Sequence, residues 1–132
     1  MKGLTSTVTK TLTNGTIMQC VDNSGAKIVG IIGAKKTKGK RGLYPKVGVG
    51  DIVTVAVKKG TPAMRKKVVK AVIVRQKKEF RRPNGVRIQF EDNACVLIDD
   101  AGLPVGTEIK GCVAREVAER YPKVSAIASA VM

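Results

Sequence analysis

A small, mainly β fold, a barrel of short strands followed by two short carboxy-terminal helices, is the class the sequence predicts, and three observations predict it. Valine- and isoleucine-rich runs of four to ten residues recur at 16–21, 27–32, 51–58, 68–77, 86–90 and 95–98. Between them lie residues that tolerate turn dihedrals: Asp22-Asn23-Ser24-Gly25, Gly60-Thr61-Pro62, Pro83-Asn84-Gly85 and Asp99-Asp100-Ala101-Gly102. Helical periodicity begins only near the carboxy terminus, so the chain is not built from alternating β-α units.

The first dozen residues, rich in threonine and serine, read as an amino-terminal arm over 1–15. Alternation is cleanest at Val53, Val55 and Val57 and at Val86, Ile88 and Phe90, so both sets are expected in the core. Asn84-Gly85 is the sharpest hairpin signal. From Gly111 a period of four appears in Val113, Val117 and Tyr121, with Glu116 four residues before Arg120 in the favourable ion-pair order. Pro122 ends that helix and suits the first turn of another, whose apolar face would be Val124, Ile127, Ala128 and Val131. At 132 residues this is one domain over 1–132, with barrel and ribbon at 16–110 and helices at 111–132. Aromatics are 3% of the residues and tryptophan is absent, so the core is aliphatic.

Charge is the strongest functional signal. The 25 Lys+Arg against 10 Asp+Glu leave +15, a surface that seeks a polyanion. The charge is also segregated. Residues 1–34 hold 3 basic and 1 acidic group, residues 35–87 hold 18 against 2, and residues 88–132 hold 4 against 7. Two surfaces with different partners follow: nucleic acid for the middle, protein for the carboxy-terminal part.

Two basic clusters stand out. Gly33-Ala34-Lys35-Lys36-Thr37-Lys38-Gly39-Lys40-Arg41-Gly42 has one residue too many between Gly33 and Gly39, and Arg41 stands where a nucleotide P-loop needs Ser/Thr after the lysine. It can instead lay several cations along successive phosphates. The second cluster, Arg65, Lys66, Lys67 and Lys70 with Arg75, Lys77, Lys78, Arg81 and Arg82, marks the ends of a strand-turn-strand ribbon over 65–87. The expected phosphate-binding set is Lys35, Lys36, Lys38, Lys40, Arg41, Lys46, Arg65, Lys66, Lys67, Arg75, Lys77, Lys78, Arg81 and Arg82. Phe80, Phe90, Tyr44 and Tyr121 are too few for a binder that stacks successive bases, and Phe90 reads as buried. Backbone and shape recognition of folded RNA fits better.

Catalysis and metal binding find little support. With no histidine there is no Ser-His-Asp or Cys-His arrangement, and Asp22, Asp51 and Asp99 are scattered. Cys20, Cys95 and Cys112 are an odd number with no C-x-x-C pair, each in an apolar run, and read as small core residues rather than metal or disulfide partners. No enzyme, cofactor or metal is expected. Without a signal-peptide pattern or an apolar span of about 20 residues, the expected location is cytosolic. A free RNA chaperone and a carboxylate-dependent nuclease are two further classes open to such a sequence.

Residues 71–97 then acquire a family. Ala71-Val72-Ile73-Val74, nine residues, Asn84-Gly85, four residues, Phe90, two, Asn93, two, and Val96-Leu97 resemble the signature of the universal large-subunit ribosomal protein family fourteen. Val21-Asp22-Asn23-Ser24-Gly25-Ala26, Val49-Gly50-Asp51, Pro104-Val105-Gly106-Thr107, Gly111 and Arg115 extend the resemblance over residues 16–132. The amino-terminal arm is similar to the archaeal and eukaryotic branch. The resemblance implies a small five-stranded OB-like β-barrel with a projecting β-ribbon and two short C-terminal α-helices. It further implies binding to large-subunit rRNA, neighbouring large-subunit proteins of families three and twenty-four-e, small-subunit rRNA at inter-subunit bridges, and a docking surface for the anti-association initiation factor six. That surface is expected on the less basic carboxy-terminal part, with Arg115, Glu116 and Glu119 as contacts.

Overall fold

The computed structural model describes residues 3–34, 40 and 44–132. Five strands close the barrel: β1 (Ile17–Cys20), β2 (Ala26–Ala34), β3 (Ile52–Gly60), β4 (Val68–Arg75) and β7 (Ala94–Ile98), in the order β1-β2-β3-β4-β7. All neighbours are antiparallel except β1 and β7, whose parallel pairing of Cys20 with Cys95 completes the closure. Closure removes the open edges that a five-stranded sheet would expose. A short hairpin, β5 (Phe80–Arg81) with β6 (Arg87–Ile88), stands outside the barrel and turns at Asn84-Gly85, where Gly85 takes φ +83°. This hairpin is the ribbon; β4, expected as part of it, is a barrel strand.

Val53, Val55 and Val57 are buried as their alternation requires. Val86 is not: it is 51% exposed, next to the Asn84-Gly85 turn at the tip of the hairpin, while Phe80 further down supplies the fully buried ring. In β7 and the second half of β4 every residue is buried, on both faces. The outer face is covered by the carboxy-terminal layer, whose first strand, β8 (Ile109–Val113), is tied to the barrel by Lys110 N–H donating to Val21 O and Ala114 N–H donating to Val74 O.

That layer departs from the expected helices. Residues 109–113 are strand, and α1 spans Arg115–Arg120. The second helix, α2, stops at Pro122–Ala126, and residues expected to continue it form β9 (Ala128–Val131), parallel to β8. A five-residue helix is marginal by itself, whereas the open edge of β8 offers main-chain partners, with Cys112 opposite Ala130 and Val113 opposite Val131. The amino-terminal arm is also placed. Thr7 bridges Arg81, Leu12 exchanges two main-chain hydrogen bonds with Val47, and Leu12 is buried.

Between β3 and β4, Thr61 O accepts from Met64 and Arg65 N–H, and Lys66 and Lys67 then face Val57 across a bulge. Lys66 sits at φ +65°, the only non-glycine residue with positive φ among those described, where a bulge of this kind ordinarily holds glycine. Lys66→Gly is expected to raise stability by about 0.5–1 kcal/mol, measured by urea denaturation, while removing one cation from the tip.

Candidate nucleic-acid interface

The strand directions regroup the basic residues. Antiparallel pairing puts the end of β2, the start of β3 and the end of β4 at one end of the barrel, and the start of β2, the end of β3 and the start of β4 at the other. Lys58 and Lys59 at the end of β3, Arg65, Lys66 and Lys67 in the following turn, and Lys27 at the start of β2 therefore share one end, and all six are exposed. Among the described residues no carboxylate lies within ion-pair distance of any of them. Lys70, next along β4, is engaged by Asp100 at 2.7 Å, and the ammonium holds that exposed carboxyl below its usual range. Gly30 makes room for the cluster, since a Cβ there would meet Lys58 Cε at 3.2 Å.

The opposite end carries Lys46, Lys77, Lys78, Arg81 and Arg87, all exposed. Lys78 lies 3.0 Å from Glu79 and lowers the carboxyl's pKa by hydrogen bonding and charge; Arg87 approaches the same carboxylate at 4.0 Å. Gln76 fastens this end together. Its buried side chain accepts from Val49 N–H and donates to Thr9 O and Lys78 O, joining the arm, the 44–51 segment and the exit of β4. The lysine- and glycine-rich segment leaves and re-enters the barrel at this end, after Ala34 and before Pro45. Lys40 is exposed; Lys35, Lys36, Lys38 and Arg41 lie outside the described residues. Ala34 and Pro45 thus share an end with the 77–87 cations, and Arg65–Lys67 belong to the other. At about 3.3 Å per residue, the eight residues of β4 hold the two ends roughly 25 Å apart, well beyond the screening length of about 8 Å.

Three expected contacts are corrected. Arg75 is 9% exposed. Its guanidinium is covered by β8, donating to Asp92 through Nε (3.0 Å) and Nη2 (3.1 Å) and to the carbonyls of Lys110 and Cys112 through Nη1. Arg82 is equally buried, beside the Phe80 ring and paired with Glu116 at 3.0 Å. Glu116, expected as a partner contact, is 1% exposed and also accepts from Ser6 Oγ at 2.6 Å. Its expected pairing with Arg120 is replaced, because Arg120 turns to Gly50 O and Asp51. These groups are spent inside the protein and are withdrawn from the binding surface. Arg115 stays exposed, and Glu119 is half-buried, accepting from Thr5 Oγ1 at 2.8 Å. Arg115, Glu116 and Glu119 do come together around one shallow depression of about 200 Å³ with Thr5, Ser6 and Asn84.

Lys27, Lys58, Lys59 and Arg87 are surface cations that the motif reading left out. The signal was present, since Lys58-Lys59 directly precede the turn at Gly60. Cys20 and Cys95 are buried neighbours; the hydrogen bond with Cys20 and burial push the Cys95 thiol well above its ordinary pKa. No cluster of three His, Cys, Asp or Glu suited to a metal exists among the described residues, and no helix among them is long and apolar enough to cross a membrane.

Residues 11–132 match the family model described as ribosomal protein L14p/L23e. Proteins named large ribosomal subunit protein uL14 are similar over the full length of both chains: 54% identical in Methanocorpusculum labreanum, 55% in Methanoregula boonei and 47% in Halobacterium salinarum. The match over residues 11–132 and this full-length similarity show that the chain belongs to the ribosomal protein L14p/L23e family.

Proposed function

We propose that the chain is a structural constituent of the large ribosomal subunit in the cytoplasm, binding large-subunit rRNA through the phosphates that its two cationic ends neutralise. The observation that carries this is the unpaired cluster Lys27, Lys58, Lys59, Arg65, Lys66 and Lys67, held on barrel strands and one tight turn. Lysines that repel one another without internal acids favour an external polyanion. The other end contributes Lys40, Lys46, Lys77, Lys78, Arg81 and Arg87; Lys35, Lys36, Lys38 and Arg41, which lie outside the described residues, are included in the phosphate-binding set on their sequence alone. Two grips roughly 25 Å apart suit separate RNA segments, and so support a role in fixing their relative position and in bridges to small-subunit rRNA. The reading extends to neighbours of families three and twenty-four-e and to docking of the anti-association initiation factor six. For the factor, the less basic α1 side offers Arg115 and Glu119, with Glu116 supporting them from beneath.

The test is the salt dependence of binding to a large-subunit rRNA transcript. Replacing Lys58, Lys59, Arg65, Lys66 and Lys67 by glutamine is expected to flatten the slope of log K against log salt by about 0.7–0.9 for each phosphate that is no longer neutralised. The same holds for a variant neutralised at Lys35, Lys36, Lys38 and Lys40. An unchanged slope removes that end from the interface. Sucrose-gradient sedimentation checks residence: the chain stays stoichiometric with large subunits after a moderate salt wash, where a transient RNA chaperone would be released.

A further inference from the structure

Four aromatic rings exist in the chain, and the fold separates one from the rest. Phe80 is fully buried, and Phe90 and Tyr121 pack against the core. Tyr44 is 75% exposed, the most exposed of the large hydrophobic residues described. It is nevertheless not far from a fixed point. Pro45, which follows it, is buried with φ restricted by its ring. Two residues further on, Val47 is 4% exposed and locked to Leu12 by hydrogen bonds of 2.8 and 3.0 Å. The ring is exposed to solvent, four residues after the exposed Lys40 and two before the exposed Lys46 in the chain, on the barrel end that also carries Lys77 and Arg81.

We propose that Tyr44 is a stacking platform for one unpaired RNA base, so that this cationic end discriminates a bulged or looped nucleotide from continuous duplex. An exposed phenol ring gains little from water, while a base laid on it gains about 1–3 kcal/mol, and the flanking ammonium groups neutralise the phosphates of that nucleotide and its neighbour. One ring reads one base. That suits folded RNA with an unpaired nucleotide rather than an extended single strand, which would need a row of such rings.

The inference rests on the phosphate-binding reading above, and its test separates the two. Full-length protein is titrated with an RNA duplex of about 12 base pairs carrying one bulged adenosine and, in parallel, with the same duplex without the bulge. Tyr44→Ala is expected to weaken binding of the bulged duplex about 5- to 150-fold and to leave binding of the continuous duplex within about twofold. Tyr44→Phe should restore affinity, because the ring and not the hydroxyl stacks. With no tryptophan and only two tyrosines, a Tyr121→Phe chain reports Tyr44 alone, and its emission should be quenched by the bulged duplex and little by the continuous one. If Tyr44→Ala binds both RNAs as the parent does, the stacking role is overturned while the phosphate reading survives, and the ring is left as a contact for protein. If the parent binds neither RNA, both fall.

Discussion

Glu116→Ala is expected to lower the unfolding free energy by about 3–5 kcal/mol, the scale for removing one partner of a buried ion pair. Glu116 Oε1 accepts from Ser6 Oγ at 2.6 Å and Arg82 Nε at 3.0 Å, and Oε2 accepts from Arg82 Nη2 at 3.3 Å. Without the carboxylate, a guanidinium in a residue 9% exposed keeps only the carbonyl of Met132, at 2.5 Å. Three parts of the chain lose a common anchor: the arm at Ser6, the β5-β6 hairpin at Arg82, and α1. Urea denaturation reads the loss, and a double variant, Arg82→Met with Glu116→Leu, should recover most of it because no unpaired charge remains buried. Glu119→Ala is the control. It breaks only the two exposed bonds from Thr5 and should cost less than about 1 kcal/mol. A loss below about 1 kcal/mol for Glu116→Ala would mean that water replaces the carboxylate at no great expense.

Gly60→Val should destabilise by about 3 kcal/mol, at the upper end of overpacking costs. Gly60 faces Ala26 where β3 meets β2, and Thr61 N–H donates to Gly25 O at 3.0 Å. A Cβ at residue 60 would lie 2.5 Å from Gly25 O and 3.0 Å from Ala26 Cα. Both are main-chain atoms of the neighbouring strand, so no side chain can swing aside. The strands must part beneath Lys58, Lys59 and the turn that carries Arg65–Lys67, and RNA affinity should fall together with stability. At Gly33 a Cβ would meet nothing within 4 Å, so Gly33→Ala is expected to change stability by less than about 1 kcal/mol. Thermal and urea unfolding of the two variants, side by side, decide whether the close approach or the mere replacement of glycine matters.

Much of the barrel was readable because its signals are local. Strand runs show themselves by β-branched residues and alternation, as at Val53, Val55 and Val57, and turns by Asp, Asn, Gly and Pro. Failures came where a remote segment altered a local preference. Ile127, Ala128 and Val131 have helical spacing after Pro122, yet the edge of β8 draws Ala128 and Val131 into a strand. Val86 alternates like a core residue but sits at the exposed tip of its hairpin, next to the Asn84-Gly85 turn.

The candidate interface divides in the same way. Net charge, its concentration in residues 35–87 and the family signature at 71–97 are properties of the sequence alone, and they pointed to a polyanion as the partner and to the family. Which cations reach the surface was decided only by tertiary structure. Arg75 and Arg82 look no different in sequence from Lys77 and Arg81, but β8 covers one and Glu116 takes the other, because a buried guanidinium must have its charge compensated within hydrogen-bonding distance. Lys58 and Lys59 join Arg65–Lys67 for a complementary reason: antiparallel pairing brings the end of one strand beside the start of the next. Composition sets how much positive charge the protein carries, and the barrel decides where that charge meets solvent.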